Sequence, residues 1–213
     1  IVSSNVDYEY IKSIHNKGYK KIRIIRNWVE EAEVIEFSER YKDETISVGR
    51  LEKQKNYKLL IEKFKNAQLS INLYGDGSLK EELVRHAKRN KVSLNINNPV
   101  PNKELIRILG KHRIFISTSS FEGSPKAILE AMSCGCVVFA KNNENVLEII
   151  KNKENGFIFE KDDDLLVSVY NIINNENEWS RISSNAVDTV STTFTLQGVL
   201  EKEFSIYKDL DLS

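Results

Sequence analysis

Short apolar runs recur along the chain, each followed by a longer stretch whose apolar positions return at roughly helical spacing. Runs of about 4–8 β-branched and aromatic residues read as strands, and the longer pattern of period ~3.6 reads as helix. Strands are expected at Thr45–Val48, Ser70–Tyr74, Val92–Ile96, Ile114–Ser117, Val137–Ala140 and Phe157–Phe159. Helices are expected over residues 57–66, 78–90, 102–110, 125–133, 145–151, 162–174, 178–190 and 196–208. Ahead of this rhythm, Ile1 and Val2 could end a strand. Residues 8–18 read as a helix with Tyr10, Ile11 and Ile14 on one face, and Ile22–Ile25 as a short strand. Residues 28–43 are acidic and weakly patterned, as in a linker or an irregular helix, and the Asn/Glu tract 174–178 reads as a turn. There is no internal repeat. Strands alternating with helices predict an α/β fold, a parallel sheet flanked by helices. In such sheets ligands bind beyond the carboxyl ends of the strands, so the loops after strands hold the interest.

Composition narrows the picture without supplying chemistry. The 213 residues carry 31 basic and 31 acidic side chains, a net charge of zero, which argues against a nucleic-acid surface. Hydrophobic residues at 40% and charged residues at 29% are an ordinary soluble balance for one domain with an addition, or two very small ones. No run reaches the ~20 apolar residues of a membrane span, and no signal peptide is visible. The chain starts at Ile1 and its one methionine is Met132, as expected of a fragment, a processed product or a trimmed chain. Cys134 and Cys136 are too close for ordinary disulfide geometry. With His15, His86 and His112 scattered, no metal site is expected, and small buried thiols in a reducing compartment are the simpler reading.

Three loops carry candidate chemistry. After Thr45–Val48 comes Gly49-Arg50-Leu51-Glu52-Lys53-Gln54-Lys55-Asn56, a glycine followed by cations and a helix start. Such a loop can hold phosphate, although residues such as Arg50 and Lys55 are more often ordinary surface residues than ligands. Neither a Walker A motif nor G-x-G-x-x-G is present. Tyr74-Gly75-Asp76-Gly77-Ser78 reads as a tight turn with Asp76 or Ser78 as helix cap. The third stretch, Ser119 to Gly135, follows an apolar strand. Ser124 suits a helix N-cap, Pro125 the first helical position and Gly135 the stop. Glu130 lies among Ala127, Ile128, Leu129, Ala131 and Met132. A carboxylate on so apolar a helix needs a partner. It either pairs with Lys126 one turn earlier or accepts ligand hydroxyls. Glu122 stands just before the helix, at the mouth of the expected crevice, either as a loop residue or as a partner of the helix dipole. The amides from Gly123 to Lys126 are candidates to receive an anion.

The stretch E-G-S-P-K-A-I-L-E-A-M-S-C-G resembles the signature of the retaining glycosyltransferases of family 4, the "group 1" family with the GT-B fold. V-G-R-L-E-K-Q-K-N, Y-G-D-G-S-L-K-E-E-L, P-V-P-N-K-E-L, V-L-E-I-I-K-N-K-E-N-G-F-I-F and I-I-R-N-W-V-E resemble further family segments in the family's order, from about residue 22 to 173.

The resemblance implies a Rossmann-like nucleotide-sugar-binding domain over 45–192. Residues 1–44 would be a remnant of an N-terminal acceptor domain plus linker, and 193–213 a crossover helix. It implies that Gly49, Arg50 and Lys55 hold the donor diphosphate and that Glu130 accepts ribose hydroxyls. Glu122 would stand by the sugar's anomeric carbon, without being assigned as a covalent nucleophile. Gly123, Ser124, Pro125 and Lys126 would line the phosphate and sugar, and Val100 and Asn102 the base. Arg50, Lys55 and Glu122 are the catalytic candidates, with no metal and no cofactor beyond the nucleotide-sugar substrate. The expected partner is a glycan or lipid-linked acceptor, in a cytoplasmic enzyme at the inner face of the cell membrane. Alternatives are a nucleotide-sugar 2-epimerase and a non-catalytic binding module. Three places in the chain depart from the family pattern. Asn56 and Asn98 stand where glycine is usual, and Asn143-Glu144-Asn145 where Gly-Gly is frequent. Glu144 either adds negative charge near the diphosphate or points outward.

Overall fold

The computed structural model describes residues 1–14 and 22–211. Six strands form one parallel sheet: β1 Glu44–Val48, β2 Ser70–Tyr74, β3 Leu94–Asn97, β4 Ile114–Ser117, β5 Val137–Lys141 and β6 Phe157–Phe159. Their order is β3-β2-β1-β4-β5-β6, with Thr45 opposite Ile71, Ile46 opposite Phe115 and Ile116 opposite Phe139. The helices are α1 Asn5–Ile14, α2 Tyr57–Lys63, α3 Lys80–Asn90, α4 Asn102–Gly110, α5 Lys126–Ser133, α6 Glu144–Leu147, α7 Leu165–Ile173, α8 Glu176–Thr193 and α9 Leu196–Asp211.

Both faces of the sheet are buried, as the apolar strands require. Alternate residues divide between two cores. Ile114, Ile116, Val137 and Phe139 pack with α2, α3, α7 and the start of α8 through Leu60, Phe64, Leu83, Val169 and Trp179. Ile46, Phe115, Val138 and Ala140 pack with α4, α5 and the far end of α8 through Leu109, Ile128, Met132, Ala186 and Val190.

The expected rhythm holds, and its boundaries move for identifiable reasons. β3 starts at Leu94 rather than Val92. Lys91 takes a left-handed conformation (φ 56°) and the Val92 amide bonds back to Ala87, so Val92 closes α3. α6 stops at Leu147, where the Asn155 side chain takes up the Ile149 carbonyl and the Lys151 amide. Asn175 caps α8 by accepting from the Glu178 amide, so the tract expected as a turn is already helical from Glu176. Ile22–Ile25 is not a strand: Ile24 forms one parallel bridge with Val2. The last positions of the helix expected over 8–18 lie outside the described residues.

α5 begins at Lys126, one residue later than expected. Pro125 takes the cap position, and its carbonyl accepts from the Ile128 and Leu129 amides, so Ser124 is not the cap. Its other end matches the expectation. The amide of Cys136 bonds to Ala131 and that of Gly135 to Met132, with Gly135 at φ +74°. Cys134 and Cys136 are free, buried thiols, and burial pushes Cys134 up to about 12.

The acidic segment 28–43 is irregular apart from one turn of 3-10 helix at Phe37–Glu39, yet it is firmly attached. Buried Arg40 donates to the carbonyls of Ile35, His112 and Cys134 at 3.0, 2.9 and 2.8 Å and lies over the Trp179 ring. Arg113 donates to the Phe37 and Ile173 carbonyls and covers the Phe37 ring. Farther upstream, Glu148 accepts from the Val6 amide, the Asn5 amide group and Arg26, which ties α1 to the end of α6.

Gly135 is the tightest point of this attachment. A Cβ there would fall within 3.0 Å of Val34, Ser183 and Arg40 in addition to the unfavourable φ. Gly135→Ala is expected to lower the unfolding free energy by about 1–2 kcal/mol or more, read from urea denaturation. An unchanged midpoint would contradict this packing.

Candidate functional site

Strand order reverses between β1 and β4, and the loops that leave these neighbouring strands meet above the sheet. The loop after β1 reaches Asn56, which adopts the left-handed conformation (φ 51°, ψ 42°) before α2. Asparagine tolerates that conformation better than most residues, which accounts for Asn56 where glycine is usual. Asn98, the other such departure, accepts from Lys80 and has no positive φ.

The two loops are stitched together along their length. The Thr118 hydroxyl donates to the Lys55 carbonyl (2.9 Å), the Ser120 amide to the Gln54 carbonyl (3.0 Å) and the Gln54 side chain to the Phe121 carbonyl (2.8 Å). This stitching sets Lys55 Nζ 2.6 Å from Glu122 Oε1, with both side chains largely buried. Tyr57, buried beside them, has its phenol pushed up by desolvation and by the Glu122 charge.

Gly49 packs on Lys55 and Tyr57, leaving no room for a side chain. The next strand end comes equally close: a Cβ on Gly75 would collide with the Gly49 carbonyl and one on Gly77 with the Leu51 backbone. The turn after β2 is therefore structural, as expected, but its caps differ. Asp76 accepts from the Gly77 amide, and Glu52 from the β1 loop takes both the Ser78 amide and hydroxyl.

A cavity of about 400 Å³ opens between these strand ends, lined by Gly49, Arg50, Tyr74, Asp76, Pro99 and Val100 among others. Arg50 makes no salt bridge among the described residues, unlike Lys55.

Glu130 is 6% exposed. Its close partner is the Asn102 amide, at 2.7 Å from Oε1, while Lys126 stands off at 3.9 Å. Desolvation pushes the Glu130 carboxyl above the usual range, and the Asn102 bond and Lys126 charge offset this only in part. Of the amides expected to receive an anion, Pro125 has none and Lys126 donates to Ser124. The amides of Gly123 and Ser124 have no partner among the described residues, and a Cβ on Gly123 would meet open space.

The structure thus gathers the expected residues into three adjoining groups. Gly49, Arg50 and Val100 share the cavity, Lys55 and Glu122 form the ion pair, and Asn102 joins Glu130 and Lys126. Gly123, Ser124 and Pro125 line a smaller void with Arg26 and Asn27. Glu144 is exposed and lies in a separate groove beside α1 with Tyr10 and Phe121, so its charge points outward. Sequence reasoning missed the Asn102–Glu130 bond and the stitching by Gln54, Thr118 and Ser120. It also missed Asn145, whose amide group donates to the Glu122 carbonyl. Polar loop residues of this kind have no spacing rule that singles them out.

Among the described residues no group of three or more His, Cys, Asp or Glu side chains is placed to hold a metal ion. No described helix is long and apolar enough to cross a membrane.

The arrangement can receive an anion at Arg50, Lys55 and the free amides, and hydroxyl groups at Glu130. The family model described as "Glycosyl transferases group 1" matches residues 30–189. The UDP-Gal:alpha-D-GlcNAc-diphosphoundecaprenol alpha-1,3-galactosyltransferase of Escherichia coli is 27% identical, over 99% of this chain and 54% of its own. The N-acetylgalactosamine-N,N'-diacetylbacillosaminyl-diphospho-undecaprenol 4-alpha-N-acetylgalactosaminyltransferase of Campylobacter jejuni is 30% identical, over 56% of this chain and 33% of its own. The chain therefore spans between a third and about half of these two relatives. A crystal structure of a mutant of S. aureus TarM with Fondaparinux, alpha-GlcNAc-glycerol and UDP superimposes with a TM-score of 0.85 at 18% identity. That match covers 97% of this chain and 43% of TarM, and it bears on the fold.

The raised Glu130 carboxyl makes a stability prediction. Its folded pKa lies above the unfolded value, so the stability it contributes is full below the unfolded carboxyl range and is lost as pH rises through the folded value. Glu130→Gln keeps an acceptor for Asn102 and removes the buried charge. It should melt at a higher temperature than the native chain at pH 7, with the gap closing as pH falls toward about 4. A variant less stable at pH 7 would show that the charge is compensated.

Proposed function

The chain belongs to the group 1 glycosyltransferases, and from that premise we propose that it is the donor-binding part of an enzyme that moves a sugar from a nucleoside-diphosphate sugar to a glycan or lipid-linked acceptor. The observation that supports this reading is a cavity lined by Arg50 where strand order reverses, together with the Lys55–Glu122 ion pair between the loops after β1 and β4 and a buried Glu130 held by Asn102. In this reading residues 45–192 bind the donor, 1–44 continue from an acceptor domain, and α9 crosses back toward it. Catalysis needs no metal, because the cations of the chain take its place.

Each residue then has a task. Arg50 and Lys55 hold the diphosphate and stabilise the charge that gathers on it as the bond to the anomeric carbon breaks. The free amides of Gly123 and Ser124 add hydrogen bonds to the same anion. Glu122, a carboxylate fixed on the opposite side of Lys55, faces the carbon as it turns positive. The acceptor hydroxyl bonds to that carbon on the face the diphosphate leaves, with retention, and passes its proton to the departing diphosphate oxygen. Glu130, oriented by Asn102, accepts two ribose hydroxyls. With its side chain committed to Glu130, Asn102 offers the base only its backbone, beside Val100.

The E. coli and C. jejuni relatives are named for diphosphoundecaprenol substrates. This supports a lipid-linked acceptor in polysaccharide or glycoconjugate synthesis; the cytoplasmic face of the membrane is the location proposed for the enzyme.

Titration calorimetry of the chain with UDP-, GDP- and ADP-sugars and the bare diphosphates tests the reading. One nucleotide class is expected to bind. Arg50→Ala should weaken it roughly tenfold to a hundredfold, the worth of a charge-assisted hydrogen bond. Glu130→Gln should mainly erase the preference for ribose over 2′-deoxyribose. Absence of heat with every sugar nucleotide would overturn the donor-binding role.

A further inference from the structure

The turn after β5 holds three asparagines within four residues, and each side chain has a different task. Asn142 donates to Glu160, just past the end of β6. Asn143 caps α6 by accepting from the Val146 amide and donates to the carbonyls of Lys141 and Ser119. Asn145, 3% exposed, donates to the Glu122 carbonyl. Its own carbonyl oxygen is buried with no hydrogen-bond partner among the described residues. No backbone amide among the described residues reaches the Glu122 carbonyl, so the Asn145 amide group is what holds it.

A residue needed there only to fill space would be apolar, because a half-satisfied buried amide is costly. The bond to Glu122 is the return on that cost. The loop over residues 118–122 is thus gripped from two sides. The β1 loop holds it through Gln54 and Lys55, and the β5 loop through Asn143 and Asn145. Glu122 stands where the two grips meet.

We infer that Asn145 is a positioning residue for Glu122: by fixing the Glu122 carbonyl it aims the carboxylate at the donor sugar while Lys55 aims it from the other side. This rests on the proposed role of Glu122 beside the sugar. Asn145 itself touches no reacting atom. Its loss should therefore act on the part of the affinity contributed by the sugar and leave the diphosphate contribution in place.

The test compares the native chain with Asn145→Leu, Asn145→Ala and a control, Asn142→Ala, which removes a bond in the same turn that does not reach Glu122. Thermal melts establish that each variant is folded. Amide hydrogen exchange over residues 119–125 is expected to quicken about tenfold in both Asn145 variants and not in the control, as for loss of one holding hydrogen bond. Calorimetry is run with UDP-glucose, GDP-mannose and ADP-glucose against UDP, GDP and ADP. The sugar nucleotide should lose roughly fivefold in affinity relative to its bare diphosphate, with the bare diphosphate unaffected.

Unchanged exchange would overturn the inference. So would faster exchange with an unchanged affinity ratio, or an equal loss for sugar nucleotide and diphosphate, which would mark a general structural brace. If the native chain binds none of the six probes, the donor-binding reading fails first and takes the inference with it. Binding by the native chain with no effect of Asn145 sinks the inference alone.

Discussion

The reversal of strand order between β1 and β4 is the constraint from which the site follows. The two strands lie side by side, but the chain leaves them toward opposite halves of the sheet, so no helix covers the gap between their carboxyl ends. Backbone polar groups emerge there and must be satisfied. The chain meets this by binding the two loops to each other through Ser120, Thr118 and Gln54. Once the loops are joined, Lys55 and Glu122 face each other across a short distance, and Arg50 is left facing open space. The charged groups are consequences of how the gap is closed as much as of what enters it.

The strands and helices were legible because burial on both faces leaves a strong apolar mark, as in Ile114–Ser117 and Val137–Ala140, both of which fall where the pattern places them. Boundaries slipped where backbone hydrogen bonding overrode propensity, as at Lys91 and Asn175. The charged site residues were legible through their spacing in three loops that follow strands. Their partners were not. Asn102 was expected at the base, yet its side chain serves Glu130, and Lys126, the evident helical neighbour, stays more distant. Asn145 belongs to a run that read only as a departure from the family pattern. Contacts between residues 23 or more positions apart, made by single amide groups, follow from the fold and cannot be read from local sequence.

The acidic stretch 28–43 illustrates the same limit on a larger scale. Its composition reads as a linker, and it has almost no regular structure. Yet Arg40 and Arg113 tie it to the base of the sheet with four hydrogen bonds to carbonyl oxygens and two aromatic contacts. Guanidinium groups suit this work because each presents several donors in a fixed plane and still stacks on a ring. The segment is thus packed against the sheet despite its irregular backbone, and a side chain on the glycine at the end of α5 would push it away.

The sheet order also has a kinetic side. β1, β2 and β3 are joined by neighbouring helices and can assemble as one unit early in synthesis. β4, β5 and β6 form a second unit, and the two share a single seam, the β1–β4 pairing. Until β4 is made, about seventy residues after β1, the edge of β1 lies open. The crevice sits on that seam, so it comes into being only when the halves dock. Any ligand that spans the loops above β1 and β4 would hold the seam shut, and occupancy would then slow unfolding by the route most open to the chain.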